Sequence, residues 1–207
     1  YDDIREFGVY FLMVAHIRFT KMQGLGNDFV VIDARYQAFD HSLVPLVADR
    51  HYGVGCDQLL LIEKARSPGT DFFYRIFNAD GQEVAQCGNG ARCVGWYIKQ
   101  FGLMDDPSVL RLQVRDRILT VVPESTDAVQ VEMGSPIFDP QAIPFASNQS
   151  GPIYQVPMQD EYLSLSVVNV GNPHAILRVD DFDQDRMRAI GKALQHSAFF
   201  PDQVNVN

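Results

Sequence analysis

Cysteine is scarce in this chain of 207 residues: Cys56, Cys87 and Cys93 are its only thiols. Three cysteines, odd in number, build no disulfide framework. The interval of six between Cys87 and Cys93 matches no zinc spacing, and no histidine pair complements it, so no metal is expected. Positive charge is also short. Lys and Arg total 17 against 26 Asp and Glu, giving a formal net charge of −9 and a pI near 4.9. That balance argues against a nucleic-acid footprint or attraction to an anionic membrane surface. Long apolar runs are missing as well. The longest near the N-terminus, residues 7–15, is too short to span a bilayer, and an acidic stretch precedes it where an export signal would be basic. The chain starts on Tyr1, and Met13 stands just before a patterned strand. Residues 1–12 are therefore expected to be a read-through or non-native extension, with a genuine extra strand over residues 8–12 as the alternative. Without an export signal or a disulfide framework, a reducing cytoplasm is the expected compartment.

What is present is mostly strand. Residues 17–23 alternate apolar and polar side chains, the pattern of a half-buried strand. Residues 29–33, 59–63, 71–77, 109–114, 118–122, 128–133, 162–170 and 175–179 also read as strands. Residues 42–50 suggest a short helix, with Ser42 as cap and Pro45 in its first turn. Residues 93–101 are apolar on nearly every side, which marks a buried helix, and Gly102 stops it. Residues 183–196 form an amphipathic helix. Five prolines make residues 134–157 an irregular connection, with a domain boundary near Ser125 to Pro136. Regular strand–helix alternation is missing, so the fold class is α+β.

The chemistry gathers in residues 78–92, which carry Asn78-Ala-Asp-Gly and then Cys87-Gly-Asn-Gly-Ala-Arg. This places Cys87 where a loop enters the N-terminus of the buried helix. Unpaired N–H groups there favour an anion, and a thiol so placed is expected to ionise below the free value of about 8.5. Gly88 and Gly90 let a ligand approach the backbone closely. A lone Cys in this place would more often be a buried structural residue; the flanking glycines and carboxamides favour a catalytic thiolate. Elsewhere, Asn27 follows a Gly-x-Gly turn and can orient a ligand, or simply tolerate left-handed backbone. Gln58 presents an amide at a loop-to-strand junction, whereas Cys56 reads as packing. His174 follows Asn-Pro and can equally be a packed strand-start residue.

Four loops thus combine glycine with carboxamides, Cys or His: Gly24-Leu-Gly-Asn-Asp28, Gly53-Val-Gly-Cys-Asp-Gln58, the 78–92 stretch and Gly171-Asn-Pro-His174. In this order they resemble the diaminopimelate epimerase family, from about Ile17 onward. The resemblance implies two pseudo-symmetric domains, each a bent, largely antiparallel sheet around a central helix, with a small-molecule substrate in the cleft between them. It divides this chain into residues 13–130, the domain with Cys87, and residues 131–207, the first part of a second, incomplete domain. It implies inversion at one α-carbon between L,L- and meso-diaminopimelate, without a cofactor, by two cysteines on opposite faces. Cys87 corresponds to one of them and His174 to a residue that tunes a cysteine. Asn27, Gln58, Asn78, Gly88, Asn89, Asn172 and Asn205 correspond to substrate-binding positions. A homodimer is implied, with no nucleic-acid or membrane partner.

One departure matters. The family's second cysteine lies in a further glycine-rich turn that has no counterpart here, and Cys56 and Cys93 do not match it. The chain on its own is therefore expected to be inactive, and poorly soluble or partly unfolded, with strands such as residues 175–179 uncovered. Three rival readings remain. A proline or hydroxyproline racemase would keep the plan and change the substrate. A cysteine hydrolase would use Cys87 as nucleophile and His174 as base. A binding module would hold ligand without chemistry.

Overall fold

The computed structural model describes residues 16–85, 87–125, 128–158 and 161–207. The expected extension, its alternative strand and two residues of the expected domain boundary lie outside the described residues. The first half contains β1 (Thr20–Gly24), β2 (Asn27–Asp33), α1 (Val44–Ala48), β3 (Gln58–Lys64), β4 (Phe72–Asn78) and β5 (Glu83–Val84). It continues with α2 (Gly88–Gln100), β6 (Leu110–Val114), β7 (Arg117–Pro123) and β8 (Val129–Glu132). Its strands form one sheet in the order β1-β2-β3-β4-β6-β7-β8, with β5 beside β4. The pairings are antiparallel except β2 with β3 and β4 with β6.

Strands β2, β3 and β4 are buried on both faces, which is why they read as continuous apolar runs. Alternation splits them cleanly. Phe29, Val31, Leu60, Ile62, Tyr74 and Ile76 face the core around α2. Val30, Ile32, Leu59, Leu61 and Phe77 face outward onto α1. Helix α2 touches β1 and β2 at one end of the sheet and β7 and β8 at the other, so the sheet curls around it. The approach is close. A Cβ added to Gly95 would stand 2.5 Å from Val121 Cγ1. Gly95→Ala is accordingly expected to cost about 1–3 kcal/mol in urea unfolding; an unchanged midpoint would mean that the helix has room to retreat.

The helix departs from expectation at its start and in its burial. It begins at Gly88 rather than residue 93, so the whole Gly-Asn-Gly-Ala-Arg run is helical and Cys87 is its N-cap. It is also not buried all round. Arg92 and Trp96 face a groove of about 550 Å³ bordered by β1 and Val129, and Lys99 and Gln100 are exposed. Gly102 does close it, at φ 59°, with Leu103 N–H donating to Ile98 O at 3.0 Å. The expected 42–50 helix is shorter. A 3-10 turn, His41–Leu43, precedes α1 and is capped by Asp40 rather than Ser42.

The second half comprises β9 (Tyr154–Met158), β10 (Glu161–Asn169), β11 (Pro173–Leu177), α3 (Gln184–Gln195) and β12 (Asn205–Val206). They make a sheet ordered β12-β11-β10-β9. Ile190 and Leu194 of α3 cover it beside Phe145 and Phe200, whose rings stack at 5.0 Å. Strand β9 is hidden in the sequence by Pro157, which an edge strand tolerates. Strand β11 starts two residues earlier than expected. Its Ala175 is buried, whereas Ile176 is exposed.

Candidate active site

The β1–β2 hairpin pairs Gly24 with Asn27, leaving the two-residue turn Leu25-Gly26 at φ 56° and 83°. Both central residues are left-handed, as a tight hairpin of this hand requires. Asn27 is therefore not the left-handed residue; it opens β2. By alternation it shares the inner face with Phe29, Gln58 with Leu60, and Asn78 with Ile76. Gln58 and Asn78 are register partners, and Gln58 Nε2 donates to Asn78 Oδ1 at 2.8 Å. Three carboxamides thus extend the inner face at one end of the sheet. Asn27 Oδ1 and Gln58 Oε1 are buried and accept no hydrogen bond among the described residues. Buried acceptors without donors are costly. Two at the same end of the sheet, on its inner face, suit a ligand that brings N–H groups, such as an ammonium.

The first turn of α2 lies against these strand ends. A Cβ on Gly90 would stand 3.2 Å from Leu60 Cδ2, and one on Gly24 would stand 3.7 Å from Asn89 Cβ. Cys87 caps the helix in extended backbone, and its Sγ accepts from Gly90 N–H at 3.2 Å. The expected fall in its pKa is not found. Burial pushes the Cys87 thiol up; the N–H groups of Gly90 and Asn89 and the charge of Arg92 pull it down by less. The helix terminus does act on the sulfur, but loss of water outweighs it. The resting group is a thiol. Cys93 is buried against the core, its thiol pushed up to about 11, and Cys56 packs on the outward face with Ala48. Neither shares the position of Cys87.

Between the two sheets lies a cleft of about 290 Å³. Gln58, Asn78, Asn172 and Asn205 all line it, so four of the seven substrate candidates converge there. Asn27, Gly88 and Asn89 sit instead around the first turn of α2. His174 pairs with Asn205 across β11 and β12. Its ring is held between Asn207 Oδ1 at 2.7 Å from Nδ1 and Asn172 Oδ1 at 3.1 Å from Nε2. It is not among the groups that shift Cys87. The cleft also takes in Gln195 and Asp202. Asp202 lies in the same Pro-Asp-Gln-Val-Asn run as Asn205, which could have pointed to it.

Reactivity should follow exposure. Cys87 is half-buried, whereas Cys56 and Cys93 are 2% and 5% exposed. Iodoacetamide is expected to label Cys87 first, at a rate that climbs through alkaline pH instead of levelling near neutrality. Peptide mapping across pH 7 to 10 checks both points. Cys93 labelled first would overturn the order.

Among the described residues no helix is long and apolar enough to cross a membrane. The diaminopimelate epimerase family model matches residues 19–138. In the solved structures, a hydroxyproline epimerase from Agrobacterium vitis aligns over 84% of this chain and 56% of its own, with TM-score 0.62 and 13% identity. A phenazine biosynthesis protein from Bacillus anthracis aligns over 79% and 55%, with TM-score 0.50 and 16% identity. At such identities the likeness shows the fold alone. Curated relatives are nearer in sequence. Diaminopimelate epimerase of Nitrosospira multiformis is 47% identical over 91% of this chain and 68% of its own. That of Nitrosomonas eutropha is 43% identical over 91% and 69%. With that identity over nearly all its length, and with the family model covering the strands and helix around Cys87, this chain belongs to the diaminopimelate epimerase family.

Proposed function

We propose that this chain serves the inversion of one α-carbon of diaminopimelate, binding the substrate and supplying Cys87 as proton carrier on one face. The observation that carries the proposal is the thiol that caps α2, a helix whose first turn lies by Leu60 on the strands that carry buried carboxamide oxygens without donors. An α-proton is a weak acid, so its removal needs a dry site with dipoles aimed at the developing charge. In the resting state Cys87 holds a proton and can return it to the carbanion. The thiolate left behind is met by the N–H groups of Gly90 and Asn89. Running in reverse, that thiolate removes the α-proton. The unpartnered oxygens of Asn27 and Gln58 take the ammonium, while Asn78, Asn172 and Asn205 offer amides to the carboxylates. Gly88 leaves the backbone open to the substrate.

Inversion needs a second carrier on the opposite face. Cys56 lies on the far side of the sheet and Cys93 in the core beside the groove. These residues alone are therefore expected to bind diaminopimelate without epimerising it, and activity is expected when the remaining segment of a curated relative is added. The assay is conversion of L,L- to meso-diaminopimelate, with proline and hydroxyproline as comparison substrates. Substantial conversion by the 207 residues alone would overturn the two-cysteine reading; turnover of proline instead would change the substrate. We further propose two domains dividing at about residue 130, within β8, a homodimer, and a cytoplasmic setting in which lysine and cell-wall precursors are made.

A further inference from the structure

Behind the carboxamides, on the other face of the same strand ends, lies a dense charged cluster. Arg50 Nη1 and Nη2 donate to Asp28 Oδ2 and Oδ1 at 3.0 and 2.7 Å, and Nη2 also reaches Asp57 Oδ1 at 2.8 Å. Lys21 Nζ donates to Asp28 Oδ2 at 2.7 Å and to Gly55 O. The two aspartates bind each other's backbones. Asp57 N–H donates to Asp28 Oδ1 at 2.9 Å, and Asp28 N–H donates to Asp57 Oδ2 at 3.0 Å. Arg50, with Lys21 and the Asp57 N–H, holds the Asp28 carboxyl far below the usual carboxylate range.

Asp28 follows Asn27, and Asp57 precedes Gln58. Each clamp residue thus shares a peptide bond with a carboxamide residue that points the opposite way. Parallel strands β2 and β3 have no tight turn to fix their ends, because the connection between them runs through α1. We propose that Asp28 and Arg50 are a positioning pair that sets the angle and spacing of the Asn27 and Gln58 carboxamides toward the substrate; this rests on the reading above that those carboxamides hold diaminopimelate. Arg50 suits the task because its planar fork grips both oxygens of Asp28 and one of Asp57, which a lysine ammonium cannot do. Neither clamp residue lines the cleft.

The test is calorimetric binding of meso-diaminopimelate to the 207-residue chain, to Asp28→Asn and to Arg50→Lys, with alkylation of Cys87 measured in parallel. Each variant is expected to bind about tenfold more weakly while Cys87 is alkylated at the wild-type rate, because the clamp's hydrogen bonds tie β1, β2 and the loop before β3 and none runs to α2. Should Asp28→Asn lose its cooperative thermal transition, Arg50→Lys decides, since that side chain is 55% exposed. Wild-type affinity in a folded variant overturns the proposal, as does an equal change in Cys87 alkylation, which would mark general distortion. If the wild-type chain binds no diaminopimelate, the functional reading fails instead. The positioning claim is then decided by the side-chain amide NMR signals of Asn27 and Gln58, which should shift in Arg50→Lys; unmoved signals overturn it.

Discussion

Cys87→Ala is expected to lower epimerisation by about a thousandfold or more in the chain supplemented with the remaining segment of a curated relative. Solvent deuterium incorporation at the α-carbon should fall with it. The change removes the thiol that meets the Gly90 N–H at the start of α2, and alanine carries no proton to exchange. Cys56→Ala and Cys93→Ala should keep most activity, because the first sulfur packs on the outward face and the second in the core. Cys87→Ser separates geometry from acidity: a hydroxyl can still accept from Gly90, but it is a far weaker acid. Near-normal turnover in Cys87→Ala would end the assignment.

The largest expected loss of stability is at Gly53. A Cβ there would stand 2.0 Å from Leu46 O and 2.7 Å from Val47 O. Both are backbone atoms of α1, so no side chain can swing aside. The segment after Gly53 lies along that helix, with Val54 and Gly55 N–H both donating to Val47 O and Cys56 N–H to Ala48 O. Gly53→Ala must push this segment off α1, at a cost of about 3 kcal/mol, or a fall in Tm of about 10 °C. Diaminopimelate binding should weaken too, because the same segment delivers Gln58. Calorimetric melting and titration of the purified variant check both effects. An unchanged Tm would show that the loop has another resting place.

Much of the site is legible in the amino-acid sequence, because its residues are unusual for where they stand. Carboxamides at strand ends and a cysteine ahead of a Gly-Asn-Gly run are poor choices for packing, and Gln58, Asn78, Asn172 and Asn205 do converge on one cleft. The strands are legible for the opposite reason: β2, β3 and β4 are apolar throughout, as double burial demands. Three things are not. The start of α2 is hidden because Gly-Asn-Gly has poor helix propensity; the segment is capped by Cys87 and lies close to Leu60, a strand residue distant in sequence. The ionisation of Cys87 cannot be judged from the helix terminus alone, since burial depends on strands distant in sequence. Arg50 resembles the ragged end of a helix, and its tie to Asp28 spans a separation that periodicity does not register.

The strand ends also bear on which length changes the chain can survive. Asn27 and Gln58 lie on the inner face of the sheet, and Asp28 and Asp57 on the other, only because successive residues of a strand point to opposite sides. Deleting one residue from the Gly53–Cys56 loop and drawing β3 back by one step would turn Gln58 toward Arg50 and bring Leu59 to the cleft. An insertion would do the same with Asp57, placing a carboxylate among oxygens that already lack donors. Removing or adding two residues preserves facing but slides the carboxamide away from Asn78, its register partner. In a library of length variants, this loop should therefore admit no change of either sign in active clones, while the exposed turn at Gly69, φ 77° and far from the cleft, should tolerate insertions freely.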